Sequence, residues 1–351
     1  MLVKDKIKSF VAERYLPNEY PSLEQQALLW GGDVPFLGLR FLDCTPVFAN
    51  TLAKYIPLLE GGATLCVGIS DKLPYDKSVV EFLKSIGIEV ITPQCVEQQF
   101  DLVLDCGAAF SAIESSIGYV ELTRSGVEKY KMCQKPVFLA DSGRVKRIET
   151  MLGTGESYFR AMDLLGYNQW QGKRLLLFGS GKVGSGIIFY AALHGAIVTV
   201  VTEPESLAPE LNKYIEQVVD CRDSSLVHKL ITESYAVVSA TGVKGASSCY
   251  ADTLDSSTAI IANMGIEDEF GDQLSCQRVL NGKKPLNFIL SEPTHLKYIE
   301  ATMALHNQGA FYLCSAEQPS GMVLPPETME RQILETTRRC GLIAKELAFL
   351  D

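Results

Sequence analysis

The sequence predicts an α/β protein built from two doubly wound parallel-sheet domains joined by hinge helices. Three observations lead there. At 351 residues the chain exceeds the size at which one hydrophobic core keeps growing, so two cores are expected. Short apolar runs alternate with stretches of helical spacing, as parallel strands with crossover helices do. Hydrophobic residues at 47% and charged residues at 21% are ordinary globular usage, which excludes a disordered chain or a long coiled coil.

Taken in order, Cys44 to about Leu59 suits a helix, closed by Gly61-Gly62 and followed by the strand-like run Ala63 to Val67. A helix near Lys77 to Ile86 and a strand at Ile88 to Ile91 repeat the unit. Asp101 to Asp105 and Pro136 to Leu139 add two more strands. Residues 1–148 are therefore the first α/β domain, with no glycine fingerprint of its own. A helical stretch, about Glu149 to Leu165, leads to the strand Arg174 to Phe178 and a second domain over 149–292. Residues 293–351 hold the helical segment Tyr298 to Leu313 and a final helix, about Glu327 to Phe349, with no further strands. These helices are expected to return toward the first domain.

The net charge of -10, with no Lys/Arg-rich run, argues against a nucleic-acid partner. The start, Met1-Leu2-Val3-Lys4-Asp5-Lys6, turns charged before any apolar run of signal length, and no later stretch is long and apolar enough to span a bilayer. A cytoplasmic location without a membrane partner is expected. The ten cysteines are spread singly, without Cys-x-x-Cys or paired histidines, so neither a disulfide framework nor a metal site is expected.

Gly179-Ser180-Gly181-Lys182-Val183-Gly184 follows the strand Leu175 to Phe178 and opens a helix through Ile187 to Leu193. On a strand-to-helix turn this Gly-x-Gly-x-x-Gly is the fingerprint of a Rossmann-like dinucleotide site. The first glycine permits the tight turn, the second lets the backbone approach a pyrophosphate, and the third lets helix and strand pack closely. The next strand, Ala196 to Val201, ends at Thr202-Glu203, where an acid accepts from both ribose hydroxyls and repels a 2′-phosphate; NAD is favoured over NADP. The alternatives are a ligand-free glycine turn and a solvated loop acid at Glu203. Thr241-Gly242 after Ala236 to Ala240, and Asn263-Met264-Gly265 after Ala259 to Ala262, place small polar loops where the nicotinamide half is expected.

The order of features resembles the S-adenosylhomocysteine hydrolase family from roughly Leu42 to Pro326. Val120-Glu121-Leu122-Thr123-Arg124-Ser125-Gly126-Val127 leading to Tyr130-Lys131-Met132, then Ala140-Asp141-Ser142 and Glu156-Ser157, follow its motifs, and Gly179 to Gly186, Thr202-Glu203, Thr241-Gly242 and Asn263-Met264-Gly265 follow its cofactor block. The resemblance implies NAD as cofactor, a substrate-type first domain, a homo-oligomer, and NAD contacts from Thr123, Arg124 and Ser125. It also exposes departures. The family's histidine falls on Pro46, an aspartate on Cys106, the substrate glutamate on Leu122 and the lysine on Val145. The aspartate after that lysine falls on Glu149, its Asn neighbour on Thr150, and a further histidine on Ile266; the family's C-terminal extension is absent. A one-residue slip supplies Glu121 and Lys146.

The catalytic candidates are accordingly Glu121, Lys146, Glu149 and His295, which follows Pro293-Thr294. The plainer readings are Lys146 and Glu149 as an exposed i,i+3 ion pair and His295 as a capping or surface histidine. Cys106 is weighed as a nucleophile, while His194 and His228 read as structural. The leading function is an NAD-dependent oxidoreductase-type enzyme on a different small-molecule substrate. The alternatives are a non-catalytic NAD-binding regulator and a divergent hydrolase using Glu121 and Lys146.

Overall fold

A computed structural model describes residues 2–95, 97–315 and 318–350. The chain divides into two compact units, one comprising Met1–Glu149 and His295–Asp351, the other Thr150–Thr294. Twelve strands are present among the described residues: β1 (Arg40–Asp43), β2 (Thr64–Gly68), β3 (Glu89–Ile91), β4 (Phe100–Asp105), β5 (Ser115–Glu121), β6 (Pro136–Leu139), β7 (Arg174–Phe178), β8 (Ile197–Thr202), β9 (Gln217–Asp220), β10 (Ala236–Ser239), β11 (Ile260–Asn263) and β12 (Gly321–Val323).

In the first unit seven strands form one parallel sheet in the order β12-β6-β5-β4-β1-β2-β3. In the second, five form a parallel sheet in the order β11-β10-β7-β8-β9. Both are doubly wound α/β sheets whose strand order reverses beside the unit's own first strand, β1 in one and β7 in the other. That reversal leaves a crevice at the carboxyl ends of the strands, β1/β4 in the first unit and β7/β10 in the second.

Apolar side chains explain why these strands lie inside. Leu42, Val103, Phe110, Tyr119, Tyr130 and Val137 pack together in the first unit, and Leu176, Phe178, Val201, Val237, Ile261 and Phe270 in the second. Each such side chain taken out of water contributes about 1.5–3 kcal/mol. No helix among the described residues is long and apolar enough to cross a membrane.

Several expectations are corrected. The helix expected from Cys44 begins at Thr51 and runs to Glu60, and Arg40–Asp43 is a strand. Pro46 disfavours helical backbone at Thr45, whose N–H donates instead to Asp43 Oδ1 at 3.0 Å. A strand does follow the second unit: β12 pairs with β6 through Gly321↔Pro136, Met322↔Val137 and Val323↔Phe138. Three residues are too few to show a period. The final helix stops at Cys340, because Gly341 turns extended, and a short helix resumes at Ala344–Leu347. The connecting helical run starts earlier than expected, at Val145, and passes through a π-helical turn, Ile148–Gly153, before continuing as Thr154–Leu164.

Within the second unit, helices Thr154–Leu164 and Lys182–Leu193 cross at Gly155 and Gly186. A Cβ on Gly155 would overlap the Gly186 backbone, and one on Gly186 would overlap the Met151 carbonyl. This crossing fixes the helix whose N-terminus carries the glycine loop.

Candidate dinucleotide site and the buried carboxylate loops

The glycine loop lies at the β7/β10 reversal point of the second unit. Gly179 closes β7 with φ +93°, a left-handed conformation that favours glycine, and a Cβ there would stand 2.7 Å from the Ala240 carbonyl. At Gly184 a Cβ would collide with the Gly179 carbonyl, so the third glycine lets the helix start against the strand. Gly181 differs: its backbone is extended (φ −66°, ψ −167°) and a Cβ would meet nothing within 4 Å. The space its missing side chain leaves is therefore not filled by the protein.

Gly181 is also the N-cap of the helix Lys182–Leu193, and no side chain caps it. The Ser185 N–H donates to the Gly181 carbonyl at 2.8 Å, so the amides of Lys182, Val183 and Gly184 precede the helical ladder. Such amides and the positive end of the helix dipole suit a phosphate. Around them, the Ser185 hydroxyl donates to the Ser180 carbonyl at 3.1 Å, and the Ser180 and Thr202 hydroxyls lie 3.0 Å apart. Glu203 follows β8 immediately and is exposed, its side chain accepting from Ser206 Oγ at a long 3.4 Å. These residues fit a dinucleotide: a turn shaped for close approach, uncapped amides, and an acid at the end of the neighbouring strand.

The loop after β10 is organised by a residue the sequence did not single out. Glu269 is fully buried and accepts from the Thr241 amide (2.8 Å), the Thr241 hydroxyl (2.8 Å), the Gly242 amide (2.7 Å) and the Ser239 hydroxyl. Thr241 and Gly242 thus turn their donors inward, and only their outer surfaces remain for a ligand. Asn263 is likewise buried; its amide nitrogen donates to the carbonyls of Lys283 (2.6 Å), Glu267 (2.7 Å) and Gly265 (3.2 Å), and its oxygen accepts from Gly265 N–H (3.1 Å). Nothing in the acidic run Glu267-Asp268-Glu269 distinguishes the buried member.

The acid/base candidates lie in the first unit. Pairing of β4 with β5 sets Asp105 opposite Glu121 at the carboxyl edge. Glu121 accepts from Gly107 N–H (2.9 Å), Ala108 N–H (2.9 Å), Thr123 N–H (2.7 Å) and Thr123 Oγ1 (2.7 Å) and is fully buried. Gly126 is required beneath it, since a Cβ there would overlap the carboxylate. Asp105 accepts from Cys106 N–H (2.8 Å), Phe110 N–H (3.1 Å) and the Tyr130 hydroxyl (2.6 Å). Burial, then the Glu121 charge, pushes the Asp105 carboxyl up to about 7 despite those donors.

Lys146 and Glu149 form an ion pair, with both carboxylate oxygens within 3.0 Å of Nζ and the side chains 5% and 19% exposed. Burial works against the Lys146 charge, but Glu149 outweighs it and the ammonium is held above its ordinary value. Glu121, Lys146 and Glu149 all act on Cys106, so three of the four catalytic candidates are gathered about one strand end. The Cys106 thiol itself is pushed up by burial and by Glu121, which leaves it protonated and removes it as a nucleophile.

His295 is half-buried, and its carbonyl accepts from the Tyr298 and Ile299 amides at the start of the helix Leu296–Ser315. Thr123 stands at the N-cap position of the helix Arg124–Tyr130 without a side-chain capping bond, while Arg124 and Ser125 are exposed; the Ser125 hydroxyl lies 3.2 Å from that of Thr123. In the second unit His194 stacks on Phe159 with ring centroids 4.7 Å apart, and His228 Nδ1 lies 2.6 Å from Thr253 Oγ1, both structural arrangements.

Sequence reading missed two further groups of the first unit. Asp43 and Lys54 form a fully buried ion pair. His306, also buried, donates from Nε2 to the Val120 carbonyl (2.9 Å) while Nδ1 has no partner among the described residues; burial, then the Lys54 charge, holds it well below the ordinary imidazole value. A cavity of about 240 Å³ opens beyond β2 and β3, lined by Ser70, Lys72, Tyr75, Thr92 and Gln94 among others.

No family model matches the chain. Among curated proteins it is similar to the adenosylhomocysteinase of Thermoplasma acidophilum, 24% identical over 271 residues, covering 68% of this chain and 64% of that protein. It is also similar to the adenosylhomocysteinase of Thermoplasma volcanium, 24% identical over 267 residues with the same shares. The chain therefore spans just under two thirds of the length of these relatives. Among solved structures, a dipicolinate synthase subunit of Bacillus halodurans superposes with a TM-score of 0.53 at 13% identity, over 80% of this chain and 98% of that one. In sequence the chain is thus distantly similar to the adenosylhomocysteinases, and its fold is a Rossmann-like α/β fold.

Proposed function

We propose that the chain binds NAD on its second unit and is an oxidoreductase-type enzyme acting on a small polar substrate other than S-adenosylhomocysteine. The observation that carries this reading is the uncapped N-terminus at Gly181, with open space where a side chain would stand. The amides of Lys182, Val183 and Gly184 would hold the diphosphate, and Glu203 would accept from the adenosine ribose and disfavour a 2′-phosphate. When bound, NAD supplies a hydride acceptor for a carbon bearing a hydroxyl or amine.

Proton work falls to the first unit. Lys146, kept charged by Glu149, orients a substrate oxygen, and Glu149, the more exposed partner, takes the proton. Glu121 holds the Gly107-Ala108 loop and is a positioning residue.

The test is NADH formation by purified protein over a panel of nucleosides, hydroxy acids and amino acids, with Lys146→Met alongside. Turnover by wild type, reduced about 100-fold or more in Lys146→Met, supports the assignment. Binding without turnover on any member favours a non-catalytic NAD-binding protein instead, a reading to which the saturation of Glu121 by four donors lends weight. Release of homocysteine from S-adenosylhomocysteine would overturn the substrate assignment.

A further inference from the structure

The cavity of about 240 Å³ beyond β2 and β3 gathers polar groups that the protein itself leaves unused. Asp71 and Lys72 line it, both exposed, and neither side chain forms an ion pair or a hydrogen bond among the described residues. The Tyr75 hydroxyl and the Gln94 amide line it without a partner among the described residues as well. Ser70 lies deeper, 6% exposed. Its oxygen accepts from the Lys72 amide at 3.2 Å, while its own proton has no acceptor among the described residues. A buried hydroxyl ordinarily spends its donor, so one left over in the lining of a cavity points to an acceptor brought by an occupant.

The backbone around these groups is pinned. The Ile69 amide donates to the Ile91 carbonyl at 2.9 Å, Leu73 to the Ser70 carbonyl at 3.1 Å and Asp76 to the Val47 carbonyl at 2.8 Å, so the segment bearing Asp71, Lys72 and Tyr75 is held at both ends. Asp76 also caps the helix Lys77–Ser85, accepting from the Ser78 and Val79 amides. Another part of the wall, Ala109, belongs to the loop after β4. In that loop Gly107 and Ala108 are left-handed one after the other, at φ +65° and +49°, and Ala108 lacks the freedom that glycine has there. Buried Glu121 imposes the turn by accepting from both amides at 2.9 Å. Strain of this kind persists only where its surroundings over-determine it, and it gathers at ligand clamps. The cavity also lies at the carboxyl ends of parallel strands, the edge at which open α/β sheets take their ligands.

We infer that this cavity binds a small α-amino acid as its zwitterion. The Lys72 ammonium and the Ser70 hydroxyl receive the carboxylate, the Asp71 carboxylate receives the ammonium, and the Tyr75 hydroxyl and Gln94 amide are left for a short polar side chain. A simple acid would use Lys72 but crowd its charge against Asp71, and a simple amine would do the reverse, so the pair selects a ligand carrying both charges. The volume is about eight times the roughly 30 Å³ share of one water, the size of such a ligand. Under the proposed function the amino acid is the substrate class, and that extension rests on that reading; binding at the first unit does not.

The test is isothermal titration of the full chain without dinucleotide, with glycine, L-alanine and L-serine as probes and L-lactate and ethylamine as controls that carry one charge each. At least one amino acid should bind with a Kd of about 1 mM or tighter, and both controls should be weaker by about tenfold, the worth of one charge-assisted pair. Asp71→Asn should weaken the amino acid about tenfold without weakening lactate, whereas Lys72→Met should weaken both. Both positions are exposed, so each variant should keep the wild-type melting temperature. Absence of heat with all three amino acids, lactate binding as tightly as alanine, or binding indifferent to both substitutions overturns the site. A protein that binds an amino acid but not NAD refutes the cofactor assignment and leaves this site standing, and one that binds NAD but no amino acid does the opposite.

Discussion

Gly181→Ala separates the cofactor assignment from the folding role of the glycine loop. A Cβ at 181 meets nothing within 4 Å, and the backbone there is extended at φ −66°, which alanine adopts without strain. Removing a glycine restricts the unfolded chain and stabilises by about 0.4–1 kcal/mol. Alanine is a poorer N-cap than glycine by a similar amount, so the two terms nearly cancel. The ligand-free protein should therefore melt within a few degrees of wild type, about 2–4 °C per kcal/mol for chains of this order of size. Binding should respond quite differently, because the new methyl stands where a diphosphate approaches the amides of Lys182 to Gly184. A loss of at least about 1.4 kcal/mol, tenfold in Kd, is expected from isothermal titration with NAD. Gly184→Ala is the contrasting variant: its Cβ collides with the Gly179 carbonyl, so it should cost stability itself, about 1–3 kcal/mol as overpacking does. If Gly181→Ala binds NAD as tightly as wild type while keeping its melting temperature, the diphosphate does not lie on this loop and the cofactor assignment is wrong.

Three other perturbations follow from the geometry. Glu203→Ala should weaken NAD by about tenfold, the worth of a charged hydrogen-bonding partner, and narrow the preference over NADP; unchanged titrations with both would remove Glu203 from the ribose site. Burial pushes Glu300 up to about 7 even though Ser22 and Thr337 donate to it, so the native carboxyl stays protonated where the unfolded one ionises. Its contribution to stability is complete below about pH 4 and is lost as pH rises through about 7; denaturant melts at pH 5 and pH 8 should differ more in wild type than in Glu300→Gln, by up to about 3 kcal/mol, and parallel pH profiles would refute this. Lys54→Met strands the buried Asp43 carboxylate and should cost about 3–5 kcal/mol, much of it recovered in Asp43→Asn/Lys54→Met; a double variant no better than the single would show that charge isolation is not the cause.

The fold was legible where structure is local. Apolar strands such as Leu175 to Phe178 announce themselves by composition, and Gly179, Gly181 and Gly184, a weak signal by spacing alone, gain meaning from the strand before and the helix after them, the context in which they are found. Signals failed where length or distance defeated them. β12 is three residues long, and β1 borders a proline-bearing stretch that imitates helical spacing. Polar organisation was legible least, because it depends on register between remote segments: Asp105 meets Glu121 only through the β4–β5 pairing, and Glu269 reaches Thr241 across 28 residues. An acid that ends buried under four donors and an acid left in solvent look alike in one dimension.

Those buried acids also bear on how many dinucleotides one chain can take. Each sheet has a reversal point, and each reversal point offers loops whose amides suit an anion. In the first unit, after β4, the amides of Cys106 and Phe110 are taken by Asp105, and those of Gly107 and Ala108 by Glu121. In the second, after β10, Thr241 and Gly242 are taken by Glu269. A carboxylate in such a nest does what a bound phosphate would do, and an incoming phosphate has to turn out a buried charge to replace it, at a cost of several kcal/mol. The loop after β7 ends instead in an uncapped helix with open space at Gly181. The two sheets share a topology and differ in which loops have been filled from within, and under the proposed function that difference leaves the second unit as the place for a dinucleotide.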